Sequence, residues 1–248
     1  MTTDPLAPLL ALADVADAVE QARTRFDQAL GHRALRRHGG QVAAEVSLRS
    51  AVASAALEGR IHEREAVRAG TVTEPVLQGA LRVAGALPGL SDLWPKAPRQ
   101  ALAKLHVLAA RDLVTDAELG RPVDDPVVAA RLDVLAGLVA GGTKVTPLVL
   151  AAVVHGELLN LRPFPGPSGV VARGAARLVL LSSGFDPRGL LAVDVGHHER
   201  EPEYVGAAGA FATGTPDGLR SWLRHYMAAV EVGADQLKVI GDEVLATT

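Results

Sequence analysis

The sequence predicts an all-α fold, and three observations carry that expectation. A polar or acidic residue stands directly before a proline at the head of an apolar run at Asp4-Pro5, Glu74-Pro75, Asp125-Pro126, Thr146-Pro147 and Thr215-Pro216. Proline at the first helical position costs nothing, because that N–H has no partner there anyway, and all of the preceding residues except Glu74 are favoured N-caps. Apolar residues after these starts recur at three- and four-residue spacing. Alternating strand patterns are nearly absent, and aromatic residues make up only 3% of the chain, too few for a sheet-based core.

The elements follow in order. After the start at Asp4-Pro5, ALRRHGG puts Arg33, Arg36 and Arg37 at what reads as a helix C-terminus, where cations complement the dipole. Residues 41–59 read as a helix ending in SAALEG, with Gly59 placed for a left-handed cap. The helix opened by Glu74-Pro75 carries Val76, Leu77, Ala80, Leu81, Ala84 and Leu87 on one face. Residues 87–99, LPGLSDLWPKAPR, hold three prolines and are the best linker candidate, although their length also suits a connection within one domain. Asp125-Pro126 opens a helix with Val127, Val128, Leu132, Leu135 and Val139 in phase, stopped at Gly141. The most apolar region, 134–154, is interrupted by Gly141-Gly142, Lys144 and Pro147. It reads as two core helices, because a membrane span needs roughly 20 uninterrupted apolar residues. Residues 146–184 form a helix, a loop and a second helix closed by Gly184. HHEREPE, with His197, His198 and Glu199, reads as a solvated helix start and not as a metal site, since adjacent histidines point to different sides.

Composition bounds the function. A chain of 248 residues, 48% hydrophobic, supports one self-sufficient domain over 1–248. A net charge of −3 provides no basic field for nucleic acid. The absence of cysteine excludes disulfides, thiolate metal sites and cysteine nucleophiles. The first residues lack a basic segment and are broken by Asp4, Asp14 and Asp17, so no signal peptide is expected. These features predict a cytoplasmic protein that meets neither nucleic acid nor membrane, with another protein as the candidate partner and the oligomeric state open.

The loop LRPFPGPSGVVAR, residues 161–173, has the glycines of an anion-cradling turn at a helix start, yet its prolines remove N–H donors. His155 lies seven residues before Arg162, and Arg162-Pro163-Phe164 is followed by Ser168, Gly169 and Arg173. This pattern resembles the Fic (Fido) family signature H-P-F-x-[D/E]-G-N-G-R-x-x-R. The resemblance extends upstream to Leu105-His106 and to SAALEG, which matches the family's inhibitory motif [S/T]-x-x-x-E-[G/N] with Ser54, Glu58 and Gly59. Downstream, the segment from Glu201 through Tyr204 to Trp222-Leu223 is similar to the family's tyrosine-led helix, turn and Trp-Leu helix.

The resemblance implies a Fic-like helical bundle and AMP transfer from ATP with Mg²⁺ to a protein hydroxyl, and each functional position can be compared. At the motif histidine, the base that would take the hydroxyl proton, stands Arg162, whose guanidinium cannot accept it. The acidic position that would hold Mg²⁺ is Gly166, without a side chain, so no metal ligand is expected and ATP binding is left uncertain. The anion nest reads Pro167-Ser168-Gly169, and the first motif arginine is Val170. Gly169 and Arg173 persist. The expectation is a degenerate, catalytically impaired Fic protein, a pseudoenzyme for AMPylation acting as a binding or regulatory module; the alternative is a non-standard nucleotidyl- or phosphate-group transferase acting on protein hydroxyls. Ser168, Gly169, Arg173 and Arg162 are the candidate phosphate ligands, with Arg177 beside Arg162 and Arg173 as a further anion ligand in the alternative reading. His155 is either a buried support or a substitute base. Ser168 is expected to cap the following helix, and Glu58 is expected to pair with Arg173 across the inhibitory-type helix. In the family the target peptide adds to an upstream β-hairpin; VTDAELGRPVDD here is short for one.

Overall fold

The computed structural model describes residues 4–247, and among them the regular structure is helical, with no strand. The α-helices in chain order are α1 (Val15–Leu30), α2 (Gly39–Ala56), α3 (Arg64–Arg68), α4 (Pro75–Leu90), α5 (Pro98–Ala110), α6 (Pro126–Gly137), α7 (Pro147–Leu161), α8 (Ser168–Ser182), α9 (Val193–Glu199), α10 (Glu201–Ala212) and α11 (Pro216–Ala246).

The proline-led starts at Glu74, Asp125, Thr146 and Thr215 open helices with working caps. The Glu74 carboxylate accepts from the N–H groups of Val76 and Leu77 at 3.0 and 2.8 Å, so a residue outside the usual N-cap set caps α4 well. Asp125 accepts from Val127 at 2.7 Å, Thr146 from Leu148 at 3.2 Å and Thr215 from Gly218 at 3.2 Å. Asp4-Pro5 departs from the expectation. Only a 3-10 turn, Ala7–Ala11, follows it; the Asp4 carboxylate accepts from the Leu6 N–H at 3.0 Å and also from the Thr143 hydroxyl and the Lys144 N–H, which ties this end to the α6–α7 connection. Arg33, Arg36 and Arg37 also lie elsewhere than expected: α1 has already ended, and they stand exposed in and beside a 3-10 turn, Arg33–Arg36.

Gly59, Gly141 and Gly184 end their helices in the left-handed region, with φ of 77°, 106° and 77°. The proline-rich segment 87–99 is a packed corner and not a boundary. Helix α4 continues through Pro88 to Leu90, and the turn before α5 buries Trp94. No helix among the described residues is long and apolar enough to cross a membrane.

Helix α8 is the axis of the fold, buried at every residue from Gly169 to Leu181. It packs on α7, α4, α5 and α2, while α11 closes the far side together with α1, α9 and α10. Its valines are poor helix formers, so tertiary burial, worth about 1.5–3 kcal/mol for each large apolar side chain, decides its conformation. Two arginines on this enclosed helix, Arg173 and Arg177, lie one turn apart. Both require anionic partners from neighbouring elements, and those partners build the site.

Candidate functional site

Helices α7 and α8 are joined by residues 162–167, and this loop forms one lip of a cleft of about 670 Å³. Arg162 ends α7 in a left-handed conformation, φ 44°, and its side chain lines the cleft. Gly166 takes φ 81°, which a β-carbon would disfavour, and Pro167 occupies the N-cap of α8. Ser168 therefore does not cap. It is the first helical residue, and its hydroxyl donates to the Phe164 carbonyl at 3.1 Å.

His106 holds the loop from below. Its Nδ1 accepts from the Gly120 N–H at 2.9 Å, so the ring proton sits on Nε2 and donates to the Pro165 carbonyl at 2.8 Å. The ring stacks on Phe164 with centroids 4.7 Å apart, and burial keeps its pKa below the ordinary value. The Val123 N–H adds a bond to the Pro163 carbonyl at 2.9 Å. The segment 113–125 is thus a loop strapped onto the α7–α8 loop, without a hairpin.

Arg173 lies on the floor of the cleft. Its Nε donates to Ser54 Oγ and one Nη to the Ser54 carbonyl, both at 2.8 Å; that same nitrogen reaches Glu58 Oε1 at 2.8 Å, and the other Nη reaches the Tyr204 hydroxyl at 3.2 Å. Burial opposes the charge, yet Tyr204, Glu58 and Asp194 hold the guanidinium pKa above its usual value. Ser54, Glu58 and Arg173, far apart in sequence, are brought together. Glu58 also lies directly over the α-carbon of Gly169, where any β-carbon would run into its Oε1. The acidic side chain therefore covers the N-terminal turn of α8, where an exogenous anion would otherwise rest.

Behind Arg173 the Tyr204 hydroxyl lies 3.0 Å from His155 Nε2. Since Arg173 donates to the phenol oxygen, the phenol donates to His155, leaving the histidine proton on a buried Nδ1 without a partner. Burial, and then the charge of Arg173, push the His155 pKa well down. His155 is fully buried, does not line the cleft, and has its Nε2 against the Tyr204 hydroxyl. Arg177 does not join the candidate anion ligands either. It points away from the cleft toward Asp194, at 3.7 Å. The solvated reading of HHEREPE fails at His197, which is fully buried and shares a 3.0 Å contact from Nδ1 to His225 Nε2. Gly59 stands exposed outside the cleft, ending the turn that carries Glu58.

The sequence reading did not single out His225 or the Asp194 counter-ion, and it named Tyr204 and His197 without their place in one buried cluster. One signal was available. The chain has two Trp, two Tyr and four Phe, and half of these eight, Tyr204, Phe211, Trp222 and Tyr226, fall within 204–226. The donor set does not fit Mg²⁺. Gly166 offers no oxygen side chain, the cleft carboxylate Glu58 is held by Arg173, and the described residues contain no cluster of three ligating side chains.

The helix order, the α7–loop–α8 hairpin and the cleft beside it define a Fic fold. Fic-1 of C. elegans superposes with a TM-score of 0.72 at 18% identity, over 96% of this chain and 75% of that one. A Fic family protein from Desulfovibrio desulfuricans G20 gives 0.61 at 20% identity, over 100% and 76%. A Fic domain containing signaling protein from Bacteroides thetaiotaomicron gives 0.69 at 13% identity, over 91% and 98%. No family model and no curated protein matches the sequence.

Proposed function

We propose that this Fic-fold protein does not transfer AMP and acts as a non-catalytic binding or regulatory module whose cleft is plugged by its own Glu58. The carrying observation is that no free base faces the cleft: no histidine lines it, and the Glu58 carboxylate is tied up in an ion pair. Arg162 stands at the loop position where a base would be needed, Tyr204 has its pKa raised by burial, and Glu58 is engaged by Arg173. Loss of a general base alone costs about 10²–10⁴ in rate, and here the metal ligand and one charge clamp are lacking as well. In this reading the helix ending at Glu58 is inhibitory in form and structural in effect, and the partner is a protein met in the cytoplasm.

The transferase alternative has one observation in its favour: Arg162 is a cleft-lining cation, near the Gly169 turn, with room for a phosphate. It lacks a base.

Calorimetric titration of ATP, with and without Mg²⁺, into wild type and Glu58→Gly tests the reading. The expected result is no heat in wild type and binding in the variant with Kd below about 1 mM, independent of Mg²⁺. No label should pass from α-labelled ATP to any protein. Label transfer by the variant overturns the non-catalytic reading, and absence of heat in both folded proteins overturns the cleft as the binding surface.

A further inference from the structure

Behind the floor of the cleft lies a polar core that the proposed function does not use. Helix α7 contributes His155, α9 contributes Asp194 and His197, α10 contributes Tyr204, and α11 contributes His225 and Tyr226; α8 supplies Arg173 and Arg177. The His155 and His197 rings are 4.9 Å apart and those of His197 and His225 are 5.2 Å apart. Each histidine has one buried ring nitrogen without a hydrogen-bond partner: His155 Nδ1, His197 Nε2 and His225 Nδ1. An orphaned buried donor or acceptor is costly, and three in one contact group constitute a marked departure from ordinary core packing.

The geometry connects these rings to the cleft. His155 accepts from Tyr204, Tyr204 accepts from Arg173, and Arg173 bonds Ser54 twice and Glu58 once. We propose that the histidine core is a proton-operated latch: protonation of His155 and its neighbours loosens Arg173 from Ser54 and releases the turn that carries Glu58 over the cleft. The inference concerns the latch itself and stands apart from whether ATP binds.

The physical argument is local. Protonated at Nε2, His155 can no longer accept the Tyr204 hydroxyl, and a second cation then stands behind a fully buried guanidinium. The anions facing the cluster are Glu58, on the solvent side of Arg173, and Asp194, already shared with Arg177; Arg200 and Glu203 act on His225 with opposite signs. Like charges in a low-dielectric interior separate where they can. The guanidinium nitrogen that meets Glu58 also meets the Ser54 carbonyl, so displacing Arg173 loosens together the contacts that hold the last turn of α2 and the turn after it. The depressed basicity of all three rings agrees with neutral histidines in the closed state.

The turn offers a direct readout. Its amides are bonded in the closed state: Leu57 to Ala53, Glu58 and Arg60 to Ala55, and Gly59 to Ala56. Hydrogen exchange of these amides, corrected for intrinsic rates, is measured from pH 7.5 to 4.5 alongside amides of α11 beyond Glu231. The expected result is an increase in turn opening of about tenfold or more at low pH while α11 stays protected. Tyr204→Phe removes the hydroxyl that passes the His155 proton state to Arg173, leaves the rings in place and keeps only the through-space repulsion, and in that variant the pH response of the turn falls severalfold. Trp222, in edge contact with His155 at 5.1 Å, independently reports ring titration by fluorescence in a Trp94→Phe background. Turn protection that is unchanged across this range while Trp222 reports titration overturns the proposal, as does loss of protection in the turn and α11 together. Full pH sensitivity in Tyr204→Phe also overturns it.

Discussion

Replacing Arg173 by alanine tests the most consequential contact in the molecule. The guanidinium is almost wholly buried and makes four hydrogen bonds, two to Ser54 and one each to Glu58 and Tyr204. Truncation leaves the buried Ser54 carbonyl and hydroxyl without a donor, at about 1–3 kcal/mol for each orphaned group. It also leaves Glu58 unpaired, but that carboxylate side chain is 24% exposed and can recover water, so the full penalty of breaking a sealed ion pair does not apply. The sum is about 2–6 kcal/mol, a fall in Tm of roughly 4 to 24 °C for a domain of this length. Urea unfolding of Arg173→Ala, with Arg99→Ala as reference, provides the assay. The Arg99–Asp133 pair is solvent-exposed, and its loss should cost less than about 1 kcal/mol. If Arg173→Ala unfolds within about 1 kcal/mol of wild type, the four-bond arrangement does not hold α2 to α8 and the reasoning fails.

Three further outcomes follow from the same geometry. Gly169→Ala should destabilise by displacing Glu58, and the cost should shrink by about 1 kcal/mol or more in a Glu58→Ala background, as measured in a double-mutant cycle. His106→Ala should cost about 2–3 kcal/mol and expose 113–125 to limited proteolysis, because it removes both the Pro165 and the Gly120 partners; an unchanged cleavage pattern contradicts the strap. His225, held at about 4 by burial and then Arg200, contributes stability that is fully present above its unfolded value near 6.5 and lost as pH falls toward 4. That contribution is at most about 3 kcal/mol. Asp186 and Asp194, raised by burial, act in the opposite sense, so the urea midpoint is compared between wild type and His225→Gln across this window; identical slopes would refute the assignment.

Local chemistry was readable where the deciding partner is a near neighbour in sequence. Asp125, Thr146 and Thr215 cap helices that begin at the next residue, and Gly59, Gly141 and Gly184 close helices just behind them. Glu58 and Arg173 were found across a long separation only because each sits in a recognisable motif. The misread residues have partners supplied by tertiary packing. His197 looks solvated beside His198 and Glu199 until α11 brings His225 against it, and Asp4 looks like a local cap alone until Thr143 and Lys144 arrive on the same carboxylate. Ser168 loses the capping role because Pro167 and Gly166 turn the chain one residue earlier, which no propensity scale foresees.

Because α8 has no outer face, the wall of the cleft and the centre of the fold are the same helix. A compound that settles there against Gly169 and Arg162 rests on the part of the molecule that opens last, so its binding free energy opposes global unfolding and not only a local opening. Thermal melting thereby becomes a ligand screen of high sensitivity. A compound present at a hundred times its Kd adds about 2.7 kcal/mol, or roughly 5 to 11 °C, and is detectable without knowing what reaction, if any, the cleft supports.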